Sequence, residues 1–351
     1  MRDVAIVSFA QATNLRRNTE RDEVGILQPV VAEAVEKSGV KRDEIGFTVS
    51  GSCDFLAGQP FSFVMALDVL GAWPPIQESH VEMDGAWALY EAYVRLQHGD
   101  IDSALVYSFG KSSPGDLLDV MVLQLDPYYT APLWPDSVSV AALQARALLE
   151  SNGHSERDLA EVAVRSRKNA KQNPKAQVAG DFDVDALLAE DYLVSPLRKH
   201  DCPPISDGAA AIVLATGDLA KRVCERPAWI RGIDHRIESH SLGARDLTTS
   251  PSTALAGEKA GVGDGPVDVA ELHAPFTHQE LIIRDALKLD DNVQINPSGG
   301  ALAANPMMSA GLIRIGEAAS QVMSGNAKRA VGHATSGPCL QQNMVCVVEG
   351  D

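Results

Sequence analysis

The stretch SHVEMDGAWALYEA, residues 79 to 92, sets two carboxylates, Glu82 and Asp84, at the step from a short apolar strand into a helix. The first N–H groups of a helix can stabilise a developing anion, so acyl-transfer chemistry often places its nucleophile at such a step. This stretch holds no Cys, and its candidates are Glu82, Met83 and Asp84. Further on, His273 ends a strand in ELHAPF, where α/β folds collect reactive groups, and Thr277 with Glu280 has the T-x-x-E spacing of a capping box. The run NPSGG (296–300) is a tight turn whose glycines allow close approach of a ligand and whose Asn296 can orient a water or a carbonyl oxygen. HATSGP (333–338) again places a His after a strand. Each motif also has a structural reading: a hydrogen-bonded His at a strand end, a plain turn, a surface loop. Arg165, Arg167, Lys168, Lys171 and Lys175 form a basic run with no acid between Ser166 and Gly180, either a polyphosphate seat or a solvated helix face.

The elements that must position these residues follow from periodicity. A strand over 3–9, a helix from Gly25 to Ser38 and a strand over 44–52 open the chain as β-α-β. The spacing then predicts a helix from Gly85 to His98 and a strand over 102–110, whose unbroken apolar run suggests burial on both faces and favours a parallel sheet. Residues 112–195 change character, with Pro-rich loops and two helical stretches, and read as an insertion. Alternation resumes with strands over 206–216, 228–233 and 267–273, helices over 277–289 and 307–323, and strands near 329–333 and 343–348. The element order of the second half repeats that of the first. Gly85, Ala88 and Ala92 on one helix, and Ala310, Gly311, Ala318 and Ala319 on another, offer faces for close backbone approach, suited to helices between two sheets. The same pattern also fits Ala-rich helices on one side of a single sheet.

Composition narrows the function classes. The 351 residues suffice for two domain-sized cores, and a net charge of −17 argues against nucleic acid and anionic membrane surfaces as partners. No apolar stretch reaches membrane-spanning length, and the chain opens on a strand, which places it in the cytoplasm. The five cysteines lie far apart with no C-x-x-C spacing, as expected for free thiols without a metal site.

Taken in order, EMDGAWALYEA with GDIDSALV, SDGAAAIVLA, ELHAPF, NPSGG and GHATSGP resemble the thiolase superfamily, in particular its sterol-carrier-protein-type and actinobacterial lipid-transfer-protein-like branches. The resemblance implies an α/β thiolase fold: two βαβαβαββ halves, residues 1–224 (with the inserted loop region 112–195) and 225–351, in a five-layer αβαβα sandwich. It also implies acyl-CoA as substrate, with coenzyme A part of that substrate and no separate cofactor. The insertion would help bind coenzyme A, with Arg165, Arg167 and Lys168 as candidate contacts. The implied assembly is a homodimer, or a heteromer with another thiolase-like subunit or a small OB-fold protein.

Working thiolases carry a Cys three residues before the Gly matched here by Gly85, so the nucleophile column falls on Glu82, with Asp84 the alternative if the register differs. His273 matches a His that helps form an oxyanion hole, and His333 a second acid/base position. Where the family's activating His follows NPSGG, this chain reads AANPM, one residue shorter, with Asn305 before Pro306. A carboxylate would have to form a mixed anhydride, so covalent thiolysis is disfavoured. None of the cysteines replaces the lost thiol in sequence; Cys339, six residues after His333, comes nearest. A carboxylate raised toward neutrality by burial would instead suit acid/base chemistry. Three readings follow: a silent or non-canonical subunit of a hetero-oligomeric thiolase-like complex in lipid or steroid side-chain metabolism; a non-covalent retro-aldol lyase on a β-hydroxyacyl-CoA using Glu82, His273 and His333; or an acyl-CoA or lipid binding module. The tyrosine-dependent aldolase mechanism of some relatives does not transfer, because no Tyr follows Tyr192.

Overall fold

The opening apolar run forms β1 (Val4–Gln11), and Asp22 caps α1 (Glu23–Ser38) by accepting from Gly25 N. The computed structural model describes residues 2–151 and 153–350. Next come β2 (Phe47–Gly51), α2 (Asp54–Ala57), α3 (Ser62–Leu70), β3 (Glu78–Val81), α4 (Gly85–Gln97) and β4 (Ser103–Lys111). The insertion supplies α5 (Leu117–Val122), α6 (Ser137–Glu150), α7 (Glu156–Asn169), α8 (Val184–Leu188) and β5 (Tyr192–Val194), which forms a small hairpin with β6 (Leu197–Arg198) just beyond it. Then follow β7 (Asp207–Thr216), α9 (Gly217–Val223), β8 (Ala228–Ile237), α10 (Pro251–Lys259), β9 (Val269–Glu271) and α11 (Thr277–Leu287). The chain closes with β10 (Gln294–Ile295), α12 (Gly300–Ala303), α13 (Ala310–Met323), β11 (Arg329–Ser336) and β12 (Gln342–Glu349).

The strands run in the order β10-β9-β11-β12-β8-β1-β7-β4-β2-β3. β1 joins β8 through only the pairs Ala5↔Trp229 and Ile6↔Ala228, so two five-stranded sheets meet at a narrow seam. Between them lie α4 and α13: Ala88, Leu89 and Ala92 share one core with Leu312, Ile315 and Ala319 and with strand residues such as Val49, Ile212, Ile230 and Ala330. α1, α3 and α9 cover the outer face of the first sheet, and α10 and α11 that of the second, giving five layers, αβαβα.

Close approach of the central helices depends on missing side chains. A Cβ on Gly85 would stand 2.6 Å from the Ser108 side chain and 2.9 Å from Leu312 Cδ2, and a Cβ on Gly51 would stand 2.5 Å from Gly85 N. The small-residue faces of α4 and α13 therefore do sit between two sheets.

The sheet is mixed, not parallel. β4 is buried on both faces as its sequence suggested, but it is parallel to β2 and antiparallel to β7. An apolar run reports the layers above and below a strand and is blind to its neighbours' direction. The capping box at α11 also differs from expectation. Phe276 is the cap, Gln279 Oε1 accepts from its N–H, Thr277 Oγ1 donates to Asp201 Oδ1 and Glu280 turns to Asn296. A T-x-x-E spacing cannot show that tertiary partners will claim both side chains.

Candidate active site

A cavity of about 360 Å³ opens where the C-terminal ends of the strands meet the insertion. Its walls are aliphatic and thioether: Leu117 and Met121 of α5, Val140 of α6, Met307 and Met308 before α13, and Leu340. Asp84, His273, Asn305 and Thr335 gather among its polar lining, and no Lys or Arg lines it among the described residues.

Of the two carboxylates, Asp84 faces this cavity and Glu82 does not. Asp84 is buried and caps α4 by accepting from Ala86 N at 2.9 Å, while it also accepts from Gly311 N and Leu312 N of α13, both at 2.9 Å. One side chain thus ends two central helices. Burial raises its carboxyl pKa, and the three donors pull against that rise. Glu82 is half-exposed, accepts from Asp54 N at 2.7 Å and lies 3.2 Å from His80 Nε2. The nucleophile column therefore lies off the cavity wall: the chain bends at residues 82 and 83 between β3 and α4, and Glu82 is held there by Asp54 N and His80 while Asp84 serves as the cap. His80 Nδ1 lies 3.0 Å from Ser50 Oγ, which completes a Ser-His-Glu line. It is no hydrolytic triad, since Ser50 is fully buried inside β2 and no substrate reaches it.

His273 lines the cavity as a neutral ring. Thr335 N donates to its Nδ1 at 3.3 Å and its Nε2 lies 3.0 Å from Asn305 Oδ1. Burial pushes its pKa down to about 4. Asn305, half-buried, is held through its own N–H to Ser206 Oγ at 3.0 Å. His333 does not reach the cavity. It shares a strand face with Val331 toward α10, where its Nε2 meets Asn343 Oδ1 at 3.2 Å, and burial, reinforced by His273, lowers its pKa to about 3. The side-chain alternation of β11 carries it to the outer layer.

Asn296 is likewise absent from the cavity wall. Its Oδ1 accepts from Leu272 N at 2.6 Å and its Nδ2 donates to Glu280 Oε2 at 2.9 Å, so both ends of the amide brace the turn. Ser298 adds bonds from N and Oγ to Glu271, which also pairs with Arg314. The NPSGG turn thereby fixes the end of β9 and with it His273. It positions the site without touching the ligand space.

The basic run does not form one patch. Arg165 pairs with buried Glu280, Arg167 lies over the Phe182 ring with its guanidinium carbon 4.8 Å from the centroid, and Lys171 pairs with Asp181. Lys168 is exposed, and none of Arg165, Arg167 and Lys168 lines the cavity. Two thiols do line it: Cys339 and Cys202, the latter outside every sequence motif. Burial pushes Cys339 up to about 11 and Cys202 up to about 12, so both stay protonated and weakly nucleophilic at neutral pH.

Two five-stranded sheets around two inner helices, with a cavity at the strand ends, define a thiolase-fold protein. No family model matches the chain. It is 26% identical over 369 residues to the acetyl-CoA acetyltransferase of Methanothermobacter thermautotrophicus, covering 96% of this chain and 95% of that one. It is also 26% identical over 233 residues to the benzoylsuccinyl-CoA thiolase subunit BbsB of Thauera aromatica, covering 58% and 60%. A match to sterol carrier protein 2 of Gallus gallus is 26% identical and covers 74% of this chain but 54% of that protein. The structure titled "Ltp2-ChsH2(DUF35) aldolase" superposes with a TM-score of 0.82 at 19% identity, covering 99% of this chain and 98% of that one. The sequence matches support homology with the thiolase superfamily across nearly the whole chain.

Proposed function

We propose that this chain works in cytoplasmic acyl-CoA metabolism, on lipid or steroid side chains, as a thiolase-like subunit without a Cys nucleophile. In this reading its halves divide near residue 224. It binds the acyl part of a thioester and pairs in a homodimer or with a second thiolase-like subunit or a small OB-fold protein. The observation that carries the reading is the apolar cavity whose one wall carboxylate among the described residues, Asp84, is engaged by three backbone N–H groups. A carboxylate so held is a poor nucleophile, and any mixed anhydride on it would break both helix caps. The similarity to BbsB, a thiolase subunit, and to the two-component Ltp2-ChsH2 aldolase supports a heteromeric setting.

One observation favours a second reading, a non-covalent carbon–carbon lyase. Asp84 lines the cavity and its Oδ2 accepts a single hydrogen bond among the described residues, so a further lone pair is free to take the hydroxyl proton of a β-hydroxyacyl thioester. The test is to incubate the protein with β-ketoacyl-CoA and β-hydroxyacyl-CoA thioesters, alone and with proteins encoded beside it, and to follow products by mass spectrometry. Turnover by the chain alone, lost in Asp84→Asn and kept in Glu82→Gln, selects the lyase. Turnover that needs a partner and survives both substitutions selects the subunit. Binding with no turnover in any mixture leaves a binding module and sinks both.

A further inference from the structure

We infer that the exposed face of α5 and the loop after it, residues 118–134, seats a protein subunit of different sequence whose docking face has an apolar centre rimmed by Lys and Arg. That rim also supplies the cations for the coenzyme A phosphates. The inference rests on the acyl-CoA reading above and adds the place and the chemistry of the partner.

The argument starts from apolar side chains that the fold leaves uncovered. Leu118, Leu123, Tyr128, Tyr129, Leu133 and Trp134 are all exposed, and the two tyrosines are each 82% exposed. They stand on a braced backbone. Asp126 Oδ1 accepts from Tyr128 N at 2.9 Å and from Tyr129 N at 2.7 Å, while Asp119 Oδ1 accepts from Trp134 Nε1 at 2.9 Å and so ties the loop to α5. Trp134 holds a left-handed backbone with φ of 50°, a conformation unfavourable for a bulky residue, and its ring still faces water. Aromatic groups held in place before binding lose little freedom on docking, and such groups form the centres of protein interfaces.

Charge selects the occupant. From Ser112 to Ala145 the chain carries Asp116, Asp119, Asp126 and Asp136 and no Lys, Arg or His. An acidic rim around an apolar centre is complemented by a basic one and repels anionic lipid. A second copy of this chain, at a net charge of −17, would bring mostly like charge. The face is also continuous with the ligand cavity: Leu118 belongs to both, and Leu117 and Met121 of the same helix line the wall beside Pro135 and Ser137. No Lys or Arg lines that cavity among the described residues, and in the basic run Arg165 and Lys171 are engaged by Glu280 and Asp181. The phosphates of a coenzyme A thioester thus meet no cation on this wall, and a basic rim seated against α5 provides one.

The test has two arms. In the first, each protein encoded beside this chain is co-expressed with it, and the pair that co-elutes is titrated. Its affinity should fall at least about tenfold from about 50 to about 500 mM NaCl. Tyr129→Asp and Leu133→Asp, both exposed and off the cavity wall, should each weaken it at least about thirtyfold, whereas Leu255→Asp on α10 should leave it unchanged. The docking is overturned by association that ignores the two face variants, by association with none of these proteins, or by a homo-oligomer that those variants dissolve. In the second arm, octanoyl-CoA is compared with S-octanoyl-pantetheine, which lacks the nucleotide and its phosphates. The chain alone should bind both within about twofold, and the complex should prefer octanoyl-CoA about tenfold. A preference already present in the lone chain, or none in the complex, overturns the partner's hold on the phosphates. Failure of both probes to bind either form overturns the acyl-CoA reading and the phosphate role with it, while the salt and variant results decide the docking by themselves.

Discussion

Asp84 and Glu82 stand two positions apart, and the fold gives them unrelated lives. Both carboxylates were legible as candidates in EMDG, but the side each takes depends on where the helix cap falls, and a cap is decided by which N–H groups come within reach. Those groups belong partly to Gly311 and Leu312, more than 200 residues away in sequence, so no local pattern discloses them. The prediction at this scale concerns stability. Asp84→Ala removes the caps of two buried helices and should cost about 2–4 kcal/mol, measured as a lower urea midpoint with unchanged slope. Glu82→Gln lies on the surface and should move the midpoint by less than about 0.5 kcal/mol. Asn305 and His273 were visible as motif positions; their mutual orientation was not, because it follows from a backbone N–H two residues beyond His333.

Elements were easier to read than contacts. The strands and helices fall close to the positions that periodicity suggests, because each buried face repeats its apolar residues at a fixed interval. The misses share one cause. Strand direction, the partners of Thr277 and Glu280, and the outward face taken by His333 are set by neighbours that are remote in sequence. The small residues of α4 and α13 were the most informative signal, since close approach leaves a pattern in the helix itself. Here the expected experiment is a ranking. Gly51→Ala would drive Cβ into the Gly85 backbone and should cost at least about 3 kcal/mol, whereas Gly85→Ala meets mainly the side chains of Ser108 and Leu312 and should cost about 1–3 kcal/mol. Urea titrations of the two variants check the order, and a reversed order would mean that β2 and α4 are not in backbone contact.

Three histidines are buried neutral: His273 near pKa 4, His278 and His333 near 3, each lowered chiefly by desolvation. The unfolded chain would protonate them near pH 6.5, so below that value the unfolded state binds more protons and stability falls as pH falls toward the folded values. Glu317 opposes this, because burial and the nearby Glu271 carboxylate raise it to about 7, and its protonated form favours the folded state as pH falls. A single-residue comparison separates the two effects. His278→Gln keeps the donor to Gln144 Oε1 and should make the acid-side loss of stability shallower by about 1.4 kcal/mol per pH unit, read from urea midpoints between pH 6 and pH 4. An unchanged slope would mean that the His278 ring is protonated in the folded protein. Finally, the shared start of α4 and α13 has an electrical consequence. Each macrodipole brings about half a positive charge to that point, and the lone negative charge of Asp84 cancels the pair. In a molecule with a net charge of −17, this point on the chamber wall is therefore close to locally balanced.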